Sequence, residues 1–314
     1  MEFGNHSQLK PGTTVLVVGY NHQAYIGETL KSISQQTLPA AAVLITDDAS
    51  PGQSETARVV YEYLAKAPKT WQWLPQQKNK GLNATLNSLL DMVDTEFVTY
   101  IAADDTMLDH RIEVHTNLLQ NSSPTVGLAY SDAQVINELS EVIAETSRTE
   151  FPWPDEPQRT EETLRCLVKA NWIPAASLFM RTSTLRAVGG YAEDLFYEDF
   201  ELLLRMAKDH PFVYADEPLV QVRRLATSLG AQGFVSDSPR FLRASYVALG
   251  HAISPADPRL RAQAQALRWN LAKRAVTSNM PRREALAMLW NARSGAKTPL
   301  HAHWHLIQGL IKRP

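Results

Sequence analysis

The stretch TTVLVVGYNHQAYIGETLKSISQQTLPAAAVLITDDAS, residues 13–50, decides the fold. Thr13-Thr14-Val15-Leu16-Val17-Val18 is a short apolar, β-branched run, the pattern of a strand buried on both faces. Over 23–36, Tyr25, Ile26, Leu30 and Ile33 recur at helical spacing. Ala42-Val43-Leu44-Ile45 is a second buried strand, closed by Asp47-Asp48. Strand, helix, strand of this length is the unit of a parallel sheet with right-handed crossovers.

The same alternation continues outward. Residues 54–66 read as a helix, Trp71-Gln72-Trp73-Leu74 as a strand, 83–93 as a helix, and Glu96–Ile101 as a fourth strand ending at Asp104-Asp105. Crossovers of one hand place all four strand C-termini on one edge, where open α/β sheets bind ligands. Polar residues gather there: Tyr20-Asn21, Asp47-Asp48, Asn79 with Gly81, and Asp104-Asp105. Each cluster alone is ordinary turn chemistry. Four at one edge predict a site.

Beyond 125 the pattern loosens. Residues 126–137 and 141–146 suggest strands or a hairpin, 151–157 a Pro-rich loop, and 160–169 a short helix. Residues 176–180 form a buried segment, 198–208 an amphipathic helix, 212–222 a last strand and 225–238 a loop. From 238 onward only helices are expected, about 240–253, 258–279, 281–294 and 300–311, punctuated by Pro255, Pro258, Pro281 and Pro299. The expected division is 1–238, with nucleotide binding over about 1–105 and acceptor binding over about 106–238, followed by a helical region at 239–314.

Composition bounds the rest. The 314 residues carry a net charge of -2, but 240–314 hold 13 Lys and Arg against two acids, Asp257 and Glu284. The remainder is correspondingly acidic, so two regions with different partners are expected. One cysteine, Cys166, excludes an internal disulfide framework and a cysteine zinc site. The opening MEFGNHSQLKPG lacks a basic start and an apolar core, and no run reaches 18 apolar residues, so a soluble cytoplasmic protein is expected. His301, His303 and His305 read as a surface run, since only the first and last share a helix face.

Residues 13–50 resemble the opening of the inverting family 2 glycosyltransferases, of the kind that build bacterial polysaccharides. Asn79-Lys80-Gly81-Leu82-Asn83 resembles the next signature and Tyr100–Asp105 the carboxylate motif. Val188-Gly189-Gly190-Tyr191 followed by Glu198-Asp199-Phe200-Glu201-Leu202 resembles the last. The resemblance spans about 13–224, with its motifs in family order. It implies a GT-A-type α/β fold, a nucleotide-binding sheet flanked by helices, with the C-terminal helices as an extension.

The resemblance also implies roles. Tyr20 offers an aromatic face beside a base, and Asn21, Asn79 and Gly81 belong to the nucleotide site. Asp48 accepts the imide proton of uracil, selecting a UDP donor. Asp104 binds ribose and Asp105 a divalent cation, Mn2+ or Mg2+. Many relatives carry Asp two residues before Asp104 where this chain has Ala102. Which of Asp104 and Asp105 holds metal therefore stays open. Asp199 is the expected general base, with Glu198 as the alternative and an acceptor contact. Trp172 is either an acceptor-stacking platform or a core tryptophan. Arg223-Arg224 are candidates to reach the diphosphate.

The expected partners are a nucleotide-sugar donor and a saccharide or lipid-linked acceptor, with no nucleic acid. The basic helices suit either peripheral contact with an anionic inner membrane face or packing on the catalytic domain or a second copy. Two other readings compete: a non-catalytic scaffold of the same fold, and a sugar-phosphate nucleotidyltransferase. The second wants a Gly-rich, basic loop after the first strand, where this chain has Gly19-Tyr20-Asn21-His22.

Overall fold

A computed structural model describes residues 9–156, 162–226, 237–253, 256–296, 298 and 304. The expected 300–311 helix, the histidine run and most of the 225–238 loop lie outside the described residues. The chain divides into two compact units. One comprises 1–161, 172–193 and 210–225; the other comprises 162–171, 194–209 and 226–314. The sequence places a single boundary at 238, whereas in the structure two earlier segments group with the C-terminal helices.

The first unit is built on one mixed sheet. Strands β1 (Lys10–Gly19), β2 (Ala42–Asp47), β3 (Trp71–Trp73) and β4 (Thr95–Ala102) run parallel in the order β3-β2-β1-β4. Helices α1 (Ile26–Ser34), α2 (Gln53–Leu64) and α3 (Leu82–Leu90) connect them. Val15, Val17, Val43, Ile45, Phe97 and Ile101 pack with Ile26 and Leu30 in one core. Burying each such side chain contributes about 1.5–3 kcal/mol, which is why these strands read as unbroken apolar runs.

The sheet continues with reversed strands. β8 (Phe179–Arg181) lies antiparallel to β4, then come β6 (Leu128–Ile136) and, parallel to it, β9 (Phe212–Arg223). β5 (Thr106–Met107) pairs with β9 at the far edge, and β7 (Val142–Ala144) closes a hairpin on β6. The buried segment expected at 176–180 thus ends in a strand that joins the parallel half to the mixed half. Helices α4 (Arg111–Gln120) and α6 (Thr182–Ala187) complete this unit, and α5 (Thr163–Lys169) belongs to the second.

The second unit is helical among its described residues. It holds α5, α7 (Glu198–Met206), α8 (Pro239–Ala248), α9 (Pro258–Thr277) and α10 (Arg282–Asn291). Pro258 and Pro281 act where the sequence places them, Pro258 following the cap Asp257 and Pro281 preceding α10, and Pro239 follows the cap Ser238 in the same way. Asp257 accepts from Arg259 N and Leu260 N, both at 3.0 Å, and pairs with Arg165. Arg268 lies 4.0 Å over the Tyr246 ring and donates to the Tyr246 carbonyl.

Candidate active site

Register brings the polar clusters of the first unit together. Gly19 at the end of β1 is level with Asp47, and Val18 with Ala102. Asp48 N donates to Gly19 O at 2.9 Å, and Ala103 N to Val18 O at 2.9 Å. Gly19 suits this close approach, because a Cβ there would lie 3.1 Å from that of Ala103, a tight contact. The loops after β1, β2 and β4 therefore leave one edge side by side.

Asp47 and Asp48 divide the work at the end of β2. Asp47 is fully buried and accepts from Ser50 N and Ser50 Oγ, tightening its own turn. Asp48 reaches the next loop: Oδ1 accepts from Lys80 N at 2.9 Å and Thr85 Oγ1 at 3.0 Å, and Oδ2 from Gly81 N at 2.8 Å. Gly81 has φ +82 and begins α3, and Asn79 Oδ1 also accepts from its N–H. A carboxylate has about four acceptor positions, so these three bonds leave one for a ligand donor. Tyr20 is 43% exposed beside Asn21, whose N–H donates to Ser50 Oγ.

Asp104 and Asp105 are both buried after β4. Burial raises the Asp104 carboxyl above its usual range, although His22 Nδ1 lies 3.3 Å from its Oδ1. Asp105 is held well above the carboxylate range, first by burial and then by the charge of Asp104. Its Oδ1 accepts from Arg223 N at 2.8 Å, and its carbonyl accepts from Thr29 Oγ1 at 2.7 Å. Ser32 Oγ accepts from Met107 N, and Gln36 bonds both Leu108 O and Ile112 N. The buried face of α1, with Gln36 just beyond its end, thus stitches down the segment after the two carboxylates.

Among the described residues no three His, Cys, Asp or Glu side chains gather as a closed cation site. An open site fits: hard divalent cations are commonly held by one or two carboxylates, with water and substrate phosphates completing the shell. Two adjacent buried carboxylates, one of them driven toward protonation by burial and then by the charge of the other, are the donor set such a cation stabilises.

Asp199 and Glu198 belong to the second unit, at the start of α7. Asp199 is 7% exposed and accepts from Asn171 Nδ2 at 3.1 Å. Burial pushes its carboxyl up to about 6. Glu198 is half-buried, and burial together with the Asp199 charge pushes it up to about 8. Glu201, one turn on, is engaged by Arg205 at 2.6 Å and by His251 at 2.6 Å. Of the three acids, only the first two keep carboxyls not committed to an ion pair among the described residues.

One expectation narrows to its second alternative and another changes. Trp172 is 3% exposed, and its Nε1 donates to the Tyr130 hydroxyl at 3.2 Å, so it packs as a core tryptophan and offers no open face. Arg223 does not extend toward a diphosphate: its side chain is fully buried and its donors are taken by protein oxygens, while Arg224 pairs with Glu150. His22 and the polar face of α1 are the contributors the sequence reading missed. The spacing of Thr29, Ser32 and Gln36 on the buried side of a helix was the available signal.

Residues 14–182 match the model of Glycosyl transferase family 2. The chain belongs to this family. An uncharacterized glycosyltransferase of Methanocaldococcus jannaschii is 23% identical over 217 residues, covering 68% of this chain and 71% of that one. The GalNAc(5)-diNAcBac-PP-undecaprenol beta-1,3-glucosyltransferase of Campylobacter jejuni is 30% identical over 98 residues, 31% of each chain. Among solved structures, Staphylococcus aureus TarS 1-349 in complex with UDP-GlcNAc superposes with TM-score 0.62 at 17% identity, covering 96% of this chain and 82% of that one. The mannosyltransferase PcManGT of Pyrobaculum calidifontis, in complex with GDP-Man and Mn2+, gives 0.57 at 18% identity, covering 97% and 87%. The fold is of the GT-A type and the protein is a glycosyltransferase, which sets aside the scaffold and nucleotidyltransferase readings.

Proposed function

We propose that this glycosyltransferase transfers a sugar from a UDP-linked donor, with inversion, to a saccharide or lipid-linked saccharide acceptor, and depends on Mn2+ or Mg2+. The observation that carries this is the pair of buried carboxylates, Asp104 and Asp105, set beside Asp48 and Tyr20 at the C-terminal edge of the parallel strands. The UDP-GlcNAc complex of TarS and the GDP-Man and Mn2+ complex of PcManGT support a nucleotide-sugar donor. The lipid-linked acceptor in the name of the Campylobacter relative supports that acceptor class.

In this reading Tyr20 covers one side of the base, Asn21, Asn79 and Gly81 line the nucleotide, and the free acceptor position of Asp48 takes the uracil imide proton. Asp104 binds ribose and Asp105 would hold the cation, which when bound neutralises charge developing on the leaving diphosphate. Asp199 removes the proton of the acceptor hydroxyl as its oxygen bonds to the anomeric carbon, opposite the breaking bond to phosphate. Glu198 contacts the acceptor. No helix of the described residues is long and apolar enough to cross a membrane. The basic helices make peripheral contact with an anionic bilayer, with packing on a second copy as the alternative.

Calorimetry of UDP with and without Mn2+ tests the donor half. Asp105→Asn is expected to remove the metal-dependent part of UDP binding and to abolish transfer. Unchanged binding of UDP with Mn2+ to this variant would overturn the assignment. Product analysis is expected to show an inverted anomeric centre.

A further inference from the structure

Arg223, the last residue of β9, is the most heavily bonded buried cation near the two carboxylates, and the mechanism above gives it no part. Its side chain is fully buried. The main-chain N–H donates to Asp105 Oδ1 at 2.8 Å, and Nε donates to the carbonyl of Asp104 at 2.8 Å. One residue therefore grips the Asp105 side chain and the peptide that links Asp104 to Asp105. The orientation of that peptide sets the direction of both carboxylates.

The rest of the guanidinium reaches two other elements. Nη1 donates to Asn137 O at 3.0 Å and Ser140 Oγ at 2.9 Å, both in the β6–β7 turn. Nη2 donates to Glu28 Oε2 at 2.7 Å, on α1, and the guanidinium lies 4.5 Å over the Tyr25 ring. Ser140 Oγ in turn donates to Glu28 Oε2 at 2.6 Å, closing a triangle of Arg223, Glu28 and Ser140. Ser140 sits at φ +64, a left-handed conformation unfavourable for a residue with a side chain. Such strain persists where surrounding bonds over-determine it. A fully buried guanidinium is costly unless every donor is used, and here the donors run to the segment expected to hold the diphosphate.

We propose that Arg223 is a positioning residue of the donor site, clamped by Glu28 and Ser140, which fixes the aim of Asp105 and thereby sets cation-dependent nucleoside diphosphate affinity. The assignment rests on the donor-site reading above. Outer residues that orient metal-holding carboxylates typically change metal affinity about 10–100-fold. The clamp therefore acts on binding and leaves proton removal at Asp199 untouched.

The test uses the full chain and leaves Arg223 in place, since its removal strands buried oxygens and threatens folding. Glu28→Gln removes the counter-charge with little change in shape. Ser140→Gly removes the hydroxyl and accepts the positive φ without strain. Glu150→Gln, which breaks the exposed Arg224 pair, is the control. Calorimetry of Mn2+ with UDP, UDP binding without metal, and thermal melting are measured on each. The expected result is a rise of about tenfold in apparent Mn2+ Kd for Glu28→Gln and Ser140→Gly. Metal-free UDP binding and kcat at saturating donor should stay within a few-fold of wild type, and Glu150→Gln should match wild type. Variants that melt normally and bind Mn2+ with UDP as wild type does would overturn the assignment. A wild-type protein that shows no Mn2+-dependent UDP binding would overturn the donor-site reading and the assignment with it.

Discussion

Asp199 and Glu198 stand side by side, and their surroundings separate their titrations to about 6 and about 8. Between those values Asp199 is ionised and Glu198 protonated, so only Asp199 is in a form to accept a proton near neutrality. The rate against pH is then expected to rise through a limb near 6. Glu198→Gln copies the protonated state and should leave that limb in place, while Asp199→Asn should lower turnover about 10²–10⁴-fold. If Glu198 were the base, the limb would lie near 8 and vanish in Glu198→Gln. The raised carboxyl also has a thermodynamic sign. An acid whose folded pKa lies above its unfolded value of about 3.9 holds its proton more tightly when folded. Its contribution favours folding most below pH 4 and is lost as pH rises through about 6. A shift of about two pH units corresponds to about 3 kcal/mol. Asp199→Asn is therefore expected to melt higher than wild type at pH 7.5 and equally at pH 4, as a carboxylate kept buried for chemistry would require.

Helix α3 shows how an element joins motifs that are remote in sequence. Asn87 donates Nδ2 to Tyr191 O at 2.9 Å and accepts at Oδ1 from Tyr191 N at 2.8 Å, so it pairs with that residue as a strand neighbour would. Asn83, one turn earlier, donates to Ala192 O at 2.5 Å. The two asparagines clasp the backbone just after Gly189 and Gly190, which sit at φ +91 and +69. Asn87→Ala removes two hydrogen bonds from the buried main chain of Tyr191 and is expected to cost about 1–3 kcal/mol, read from chemical unfolding. Asn87→Asp should lose more, because its buried carboxylate would face the Tyr191 carbonyl and the Glu193 carboxylate that Asn87 Nδ2 now serves. The strands that frame the site were legible because buried parallel strands have a period-free apolar signature and end in polar turns. The expected helices over 54–66 and 83–93 match Gln53–Leu64 and Leu82–Leu90 closely. Hydropathy does not encode which buried polar side chain meets which backbone. Hence the stitching by Thr29, Ser32 and Gln36 and the clasp by Asn83 and Asn87 came only with the structure, which also decided between the two readings of Trp172. The grouping of 162–171 and 194–209 with the C-terminal helices was hidden for the same reason: contact at long sequence separation leaves no local period.

At the scale of the whole molecule, the strongest feature is the imbalance of charge between the C-terminal quarter and the rest. Within the second unit some of this charge is matched: Arg243 pairs with Glu284 and Arg274 with Asp237. Arg282, Arg283 and Arg293 are solvent-exposed on and just after α10, with Trp290 53% exposed and Arg293 4.4 Å over its ring. A tryptophan beside arginines suits a bilayer interface, where the ring enters the headgroup layer and the cations meet anionic lipid. Each basic residue near such a surface contributes about 1 kcal/mol, so three give weak, reversible attachment rather than anchoring. Co-sedimentation is expected with vesicles containing anionic lipid and not with neutral ones. It should decline steeply as salt shortens the Debye length from about 10 Å at 0.1 M toward 3 Å at 1 M. Replacing Arg282, Arg283 and Arg293 together by Glu should abolish it while leaving Mn2+-dependent UDP binding intact, because the donor carboxylates belong to the other unit. Trp290→Ala should weaken binding without changing its salt dependence, since it removes apolar insertion and no charge. Equal and negligible binding to both vesicle types, with the triple variant altering the sedimentation state of the protein alone, would assign this face to a second copy of the chain instead.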